Sequence, residues 1–387
     1  MKKHIIYLTT AMEKEDFKNY LSHWSVAPNP SNQNFHNKFI RALAINYKVD
    51  VISIRPFSSS LVDLTSLPYE KKEEGNITWH YLPISGKKIF RIFKCKKDVK
   101  LLIKQLYTNE SIIFTDTINT SLIFYLNRAR KNNNYHIVGL ATDSPSNISN
   151  TRRSYTTFLL NNTNSFSAYI ALTKELDELY NPYGRLSTII EGIVEKAPKD
   201  IKKPTNDQYF FFGGALLERY GIYQLIDAFN DINVNYPDIK LYIAGHHADK
   251  KKLEFITLKN QNIKFLGILP YESVLSYEKY ALANINPRPF SEDLDRFSIP
   301  SKTLEYMASS RPTISVKNSK LAKYFEKEIV WAKSSNKEDL YEAMEKVLTA
   351  SKDINKEITS SASEKVNELF GFKAVSDKVK ELIDQLD

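Results

Sequence analysis

One cysteine, Cys95, stands among 387 residues. A single thiol excludes an internal disulfide framework and suits a reducing compartment. No run of ~18 apolar residues occurs, so a membrane-spanning helix is not expected. The start, MKKHIIYLTTAMEKEDF, has two lysines and a short apolar stretch. Acidic residues follow at once, where a signal peptide needs a longer apolar region and a small-residue cleavage site. Ile5 to Thr9 therefore reads as a first buried strand, and the expected location is cytoplasmic. Repeats of solenoid length and low-complexity tracts are missing, which sets aside arrays and disordered tails.

What remains is an ordinary globular composition, 42% hydrophobic and 26% charged. The length is too great for one ordinary core and fits two domains. Net charge is +9 and unevenly placed. Residues 1–200 carry 27 Lys and Arg against 18 Asp and Glu, whereas residues 201–387 carry 27 of each. The basic excess lies in the first half, so the halves are expected to meet different partners.

In the first half, HIIYLTT, VDVISIR, ITWHYLP, SIIFTDT, HIVGLAT and AYIALT read as strands. Asn34–Ala44, Ile92–Leu106 and Ile118–Arg130 read as helices between some of them. Residues 191–208 break into lysine, proline and small polar residues, the signature of a linker. Alternation then resumes. YFFFGG, IKLYIAG, IKFLG, ANINPR and PTISV read as strands, separated by helical patterns. Ile354–Asp387 reads as two helices broken near Gly371. Alternation of this kind predicts an α/β protein of two doubly wound parallel sheets facing a cleft, with ligands beyond the carboxyl ends of the strands. The boundaries expected are 1–195, a linker at 196–207, 208–365, and a final helix at 366–387 crossing back to the first domain.

The segment SIPSKTLEYMASSRPTI, Ser298 to Ile314, carries the most chemistry. Pro300 suits the entry to a helix, whose first amides then point outward at the positive end of its dipole. A phosphate fits such a place, and Ser301 and Lys302 add a hydroxyl and a full charge. Glu305 lies at i+3 from Lys302, so a cap with an i,i+3 ion pair explains the same residues equally well. Upstream, an apolar strand ends at Gly213-Gly214, where backbone can approach a ligand closely. Arg219 follows before the next helix, with a planar fork suited to phosphate oxygens.

Gly213-Gly214, Arg219-Tyr-Gly, Leu225-Ile-Asp-Ala-Phe, LYIAG, IKFLGILPYESV and NPRP…PSKTLEYMASSRPTI follow one another in a fixed order. This order resembles the second domain of retaining glycosyltransferases of the large group-four family, well over residues 208–320 and more weakly back through ALTKELDELYNPYG. The resemblance implies the GT-B fold and transfer of a sugar from a nucleotide diphosphate, expected to be a UDP-sugar. It implies that Arg219 and Lys302 hold the diphosphate, with Ser301, Thr303 and the helix amides beside them. Gly213 and Gly214 would give the phosphates room, and Glu305 would accept from both ribose hydroxyls. No metal or other cofactor is expected, the nucleotide sugar being a co-substrate. For such enzymes front-face displacement is usually proposed, the donor phosphate taking the acceptor proton.

Two departures from the family stand out. It often carries two glutamates with seven residues between them; Glu305 matches the second, and Phe297 stands at the first, where the sugar ring is positioned. AGHHADK, residues 244–250, replaces the usual small residues, and His246 reads as solvent-exposed. Asp293-Leu-Asp295 has the spacing of a metal-binding pair but reads as a solvated loop before Pro300.

In the first half, PNPSNQNFHNKFIRAL enters a helix where GT-B enzymes border their cleft. Asn34 and His36 are candidate contacts for sugar hydroxyls; capping by Ser31 or Asn32 accounts for the segment as well. Asp143, at a strand's carboxyl end, either orients an acceptor hydroxyl or forms an Asx turn. Arg288, the last residue of ANINPR, completes the cleft candidates. Residues 86–106 carry eight basic residues and one acidic. They read either as a solvated helix or as a surface for an anionic membrane, on its inner face. A nucleic-acid partner is not expected, since no compact binding motif accompanies the charge. The expected acceptor is a glycan, lipid-linked or protein-linked. The alternatives are a non-catalytic partner subunit that binds glycan or a transferase, and a nucleotide-sugar 2-epimerase, which calls for more cleft histidines and carboxylates than this chain's seven histidines suggest.

Overall fold

The computed structural model describes residues 3–21, 23, 30–57, 66–84, 88–131, 133–147, 153–198, 200–246 and 250–386. The chain forms two compact units. The first comprises Met1–Ile193, Arg296–Ser298 and Phe372–Asp387, and the second Val194–Asp295 with Ile299–Gly371.

The first unit is built on eight strands: β1 (His4–Thr9), β2 (Lys48–Ser53), β3 (Glu70–Glu74), β4 (Ile77–Tyr81), β5 (Ser111–Asp116), β6 (Ile137–Ala141), β7 (Ala168–Ala171) and β8 (Leu186–Ile189). Their order is β3-β4-β2-β1-β5-β6-β7-β8. All neighbours are parallel except β3 and β4. The period of two is visible in β1. Ile5 and Tyr7 join the core that includes Phe39 and Val379, while Ile6 and Leu8 join the one that includes Val99 and Leu126. Both faces are therefore covered, as parallel sheets require. The closing helix Phe372–Asp384 buries Val375, Val379, Leu382 and Ile383 on one stripe. Its Ser376 hydroxyl accepts from Asn46 at 2.9 Å, and the Ile383 carbonyl accepts from Lys3 at 3.0 Å.

The second unit holds β9 (Gln208–Gly213), β10 (Ile239–Ala244), β11 (Ile263–Phe265), β12 (Ala283–Asn286), β13 (Thr313–Val316) and β14 (Val330–Ala332). They are ordered β11-β10-β9-β12-β13-β14 and wholly parallel. Tyr209 and Phe211 pack on one face of β9 with Tyr242 and Tyr277. Phe210 and Phe212 pack on the other with Leu225 and Phe229. In each sheet the winding reverses beside the first strand, between β1 and β5 and between β9 and β12. Ligands of doubly wound sheets bind at these switch points.

Several elements escape the sequence pattern. β3 reads EKKEE, with no apolar period at all. Ion pairs hold it instead: Arg55 to Glu70 at 2.9 Å, Lys72 to Glu13 and Asp16 at 3.0 and 2.9 Å, and Arg41 to Glu74 at 2.8 Å. Strands β8 and β14 are four and three residues long. The helix Pro30–Leu43 begins before Ser31 and Asn32, so neither is its cap, which corrects that reading.

Three neighbouring strands share a buried polar cluster. His4 and His80 each place Nε2 against an Asp50 carboxylate oxygen, at 2.6 and 2.7 Å. Burial alone would raise the Asp50 pKa; the hydrogen bonds from both histidines outweigh it and hold the carboxyl well below its ordinary range. A carboxyl depressed in the folded state contributes stability above its unfolded pKa, and that contribution is lost as pH falls. Asp50→Asn should therefore lower the melting temperature at pH 7 and flatten its fall between about pH 5 and pH 3. Thermal denaturation across that range checks it; a parallel pH dependence in the two proteins would contradict the assignment.

Candidate functional site

At the carboxyl edge of the second sheet, three backbone segments meet with no room for side chains. Gly245 has φ +141°, and a Cβ there would lie 1.7 Å from the Gly214 carbonyl oxygen. Gly221 has φ +77°, and its Cβ would lie 2.3 Å from the Pro287 carbonyl oxygen. The Tyr306 hydroxyl accepts from the Gly213 amide at 3.0 Å and lies 3.2 Å from the Gly213 carbonyl. Burial pushes this hydroxyl above its ordinary pKa, so it stays a neutral donor. Through it, the helix Ser301–Ala308 is fastened to the end of β9.

That helix has no side-chain cap at Pro300, and the helix Ile222–Asn235 has none at Gly221. Their first amides are thus unclaimed by any capping side chain. Lys302 extends from the first turn with its ammonium 2.8 Å from Glu305 Oε2, the two side chains 36% and 19% exposed. Burial works against the Lys302 charge; the carboxylates of Glu305 and Glu278 outweigh it and raise the pKa above the usual lysine value. Glu278, 1% exposed on the helix Tyr271–Tyr280, carries no motif that sequence reasoning detects. Its period on an otherwise mixed helix hides it.

The other sequence candidates sort plainly. Ser301 is exposed at the helix mouth. Arg219 is exposed in a short turn, Glu218–Tyr220, with its guanidinium 5.1 Å from the Tyr220 ring centroid. Thr303 is fully buried, its hydroxyl shared with Asn286 at 2.9 Å and Ser315 at 3.1 Å. Its side chain seats the helix on β12 and β13, so the hydroxyl expected beside the diphosphate is engaged within the fold. Arg288 reaches Asp295 at 3.2 Å. Asp295 is 3% exposed within the helix Glu292–Arg296, and accepts also from the Ser291 amide at 2.8 Å and from Asn318 at 3.2 Å. The solvated-loop reading of this aspartate is thereby overturned: its partners Arg288 and Asn318 come from separate strand ends that no local pattern links. His246 is exposed; residues 247–249 of the same loop lie outside the described residues.

Phe297 belongs to the first unit. It packs against the core of Ile6 and Leu8, with the Arg296 guanidinium 5.2 Å from its ring centroid. The Arg296 carbonyl accepts from Thr173 at 3.2 Å. An aromatic ring at the family's first-glutamate position is here a packing group.

The first unit carries a cavity of about 560 Å³ beyond the carboxyl ends of β1, β2, β4 and β5, at its own switch point. Asp116, the last residue of β5, lines it with Asn32. Its Oδ1 accepts from the Ile118 amide at 3.0 Å and from Thr142 at 3.3 Å. Its Oδ2 lies 3.3 Å from both Asn32 Nδ2 and His36 Nε2. The other His36 nitrogen meets the Tyr7 hydroxyl at 2.6 Å. A carboxylate only accepts, so the imidazole presents N–H at Nε2 to Asp116 and takes the Tyr7 hydroxyl at Nδ1. His36 is 1% exposed and does not line the cavity; it orients Asp116. Asn34, expected beside it, also lies outside the lining, and its neighbours Asn32 and Gln33 occupy it. The Asp143 carboxylate accepts from the Ser144 amide at 2.7 Å, a local turn bond, and is not in the lining. Asp116 was legible only as the end of a strand.

Comparison with solved structures places the whole chain in one fold. A sucrose-phosphate synthase from Thermosynechococcus elongatus aligns at TM-score 0.68 and 15% identity, over 99% of each chain. A trehalose-6-phosphate structure from E. coli bound with UDP-2-fluoro glucose aligns at 0.67 and 12%, over 99% of this chain and 98% of that one. An alpha,alpha-trehalose-phosphate synthase (UDP-forming) from Burkholderia vietnamiensis aligns at 0.65 and 9%, over 100% and 99%. Curated proteins give no match. The two doubly wound sheets, parallel but for the pairing of β3 with β4, give this chain the GT-B fold. Over residues 194–365 the sequence matches the model of the family described as Glycosyl transferases group 1.

The close backbone approach gives a direct test. Gly245→Ala should cost at least about 3 kcal/mol, from a disfavoured φ and a collision with backbone that cannot yield. Gly75→Ala, also at positive φ but with nothing within 4 Å of its Cβ, should cost only about 1 kcal/mol. Chemical denaturation of both variants checks the difference, and equal losses would count against the packing argument.

Proposed function

We propose that the protein transfers a sugar, with retention, from a UDP-sugar to a glycan, lipid-linked or protein-linked acceptor. The observation that carries this reading is Lys302, held charged by Glu305 on a helix that Tyr306 fastens to the Gly213 strand end. In the reaction, the bond from the anomeric carbon to the diphosphate oxygen breaks and a bond to the acceptor oxygen forms. Negative charge grows on the departing diphosphate. Lys302, Arg219 and the uncapped amides of Ser301 and Lys302 are placed beforehand to meet it, which lowers the barrier without reorganisation. Glu305 accepts from the ribose hydroxyls and keeps Lys302 oriented between turnovers. The departing phosphate oxygen takes the acceptor proton. This scheme assigns the diphosphate charge to protein cations and asks no metal of the site.

A thermal-shift panel of nucleotides and nucleotide sugars tests the donor. UDP should raise the melting temperature of the native protein, since a ligand bound only to the folded state stabilises it. Lys302→Ala and Arg219→Ala should each weaken UDP binding by about tenfold or more and lower kcat/KM by about 10²-fold, and EDTA should leave activity unchanged. UDP binding that survives both substitutions would favour a non-catalytic partner. Isomerisation of a nucleotide sugar without acceptor would favour an epimerase.

We also propose that the first unit meets an anionic membrane surface. The helix Lys88–Leu106 buries Cys95, Val99 and Ile103 and turns Lys97, Lys100 and Lys104 outward. Phe93 stands 65% exposed and Leu101 46% exposed on the same outer side. Each such cation near an anionic bilayer contributes about 1 kcal/mol. No described helix is long and apolar enough to cross a membrane. Co-sedimentation with phosphatidylglycerol vesicles should fall at least tenfold when Lys97, Lys100 and Lys104 are changed together to Glu, and retention of binding would exclude this face.

A further inference from the structure

We infer that the first unit carries an anion site of its own, for a phosphomonoester, between the helices Thr120–Ala129 and Arg153–Thr163. The inference goes beyond the transferase reading and stands whether or not that reading holds. A cavity of about 560 Å³ lies there, within the range of small-molecule sites, about 300–1,000 Å³. It sits at the edge of the sheet opposite the strand-end cavity. The helix Thr120–Ala129 starts at its Asn119 cap, beyond the carboxyl end of β5, and runs back along the sheet, so its last turn is at the amino edge. There Arg130 donates to the Ser165 hydroxyl at 2.9 Å. Two residues on, the Ser167 amide donates to the carbonyl of Ile137 at the start of β6.

Three cations line this cavity: Arg128, Arg130 and Lys131. Among the described residues no carboxylate pairs with any of them. The sequence makes this a property of the region. Residues 117–174 carry six Lys and Arg against one acid, Asp143, and Asp143 stands beyond the carboxyl end of β6, at the other edge of the sheet. Helix polarity does not account for three cations. A helix end carries about half a negative charge. Part of that is met already, since Asn133 Nδ2 donates to the Ala129 carbonyl at 3.1 Å and the Arg130 amide to the Leu126 carbonyl at 2.9 Å. A surplus of roughly two positive charges remains.

The cations are presented in ways that suit a phosphate. Arg130 is half-buried, its guanidinium 5.6 Å from the Phe166 ring centroid. Burial lowers its pKa from the ordinary arginine value, with the Tyr169 phenol as the counterweight. A cation drawn out of water without a carboxylate beside it gains most from an anionic ligand. Arg128 is exposed, its guanidinium 5.5 Å from the Phe124 ring centroid, and it makes no hydrogen bond to any described residue. Arginine's planar fork matches two phosphate oxygens, and the exposed Lys131 adds a point charge. A phosphomonoester carries about two negative charges near pH 7 and meets the surplus better than one carboxylate does. The two helices are held at a fixed spacing, since Asn127 donates to Asn162 Oδ1 at 2.8 Å and Asn162 to the Phe158 carbonyl at 2.7 Å. Phe124 and Phe158, both half-buried, line the same space and offer apolar surface to the organic part of the ester.

The experiment is calorimetry on the full chain, in excess UDP so that the proposed donor site is filled. The probes are glycerol 3-phosphate, phenyl phosphate and inorganic phosphate, with sulfate as the control. At least one ester should bind about tenfold or more tightly than sulfate. Arg128→Gln and Lys131→Gln, at exposed positions that the fold tolerates, should each weaken that ester about tenfold. Lys302→Ala should leave it unchanged, as should Lys97→Gln, an exposed lysine outside the lining. Phosphatidylcholine vesicles with and without phosphatidic acid identify the source. Displacement of the ester by the phosphatidic acid vesicles alone assigns the site to a lipid headgroup, and an ester that stays bound assigns it to a soluble ligand. Sulfate bound as tightly as every ester would mean an adventitious ion only and overturn the inference. So would an ester lost equally on changing Lys97, an ester lost on changing Lys302, or no ester bound at roughly 10 mM. UDP binding measured on the same samples keeps the two readings apart: ester bound without UDP sinks the transferase, and UDP bound without ester sinks this site.

Discussion

The second unit depends on backbone meeting backbone. The Gly214 carbonyl occupies the place where residue 245 would carry a Cβ, and the Pro287 carbonyl does the same at residue 221. These approaches bring the ends of β9, β10 and β12 together, and Tyr306 ties the helix bearing Lys302 to the same point. Every polar group proposed to meet a diphosphate is positioned from this junction. The ammonium of Lys302 stays charged there because two carboxylates, Glu305 and Glu278, outweigh its burial. The site is therefore a balance of charges on a rigid floor.

The first unit uses buried polar groups in two different ways. Across β1, β2 and β4, Asp50 is clasped by His4 and His80, with Ser111 and Tyr69 on the outer nitrogens of the rings. That cluster is closed on itself. At the carboxyl end, Asp116 is oriented by a histidine in the same manner but borders a cavity. β1 contributes to both, with His4 at its start and Tyr7 further along. Similar chemistry is closed within the sheet in one case and borders a cavity in the other.

The architecture was legible because both sheets, β3 apart, are parallel and covered on both faces, so their strands are short continuous apolar runs such as FFFG and HIIYL. What stayed hidden had other physical causes. β3 is stabilised by ion pairs from Arg41, Arg55 and Lys72, which leave no trace in hydrophobic period. The helix mouth at Ser301 and Lys302 was legible from proline, charge and spacing together. Thr303 was not, because whether a threonine faces a ligand or a neighbour depends on Asn286 and Ser315, remote in sequence. Asp295, Asp116 and Glu278 share that difficulty: their burial is decided by tertiary partners. Phe297 reads as a lost glutamate in sequence and as a packing ring in space.

The charged hairpin strand at the rim of the larger sheet has a consequence beyond its own fold. A parallel sheet of this breadth ends in a row of unpaired amides and carbonyls that another polypeptide could extend. Here any newcomer must align with Glu70, Lys71, Lys72, Glu73 and Glu74, and strip water from ionised groups to do so. Growth of the sheet stops at that strand, and the protein is guarded on this side against runaway aggregation when crowded.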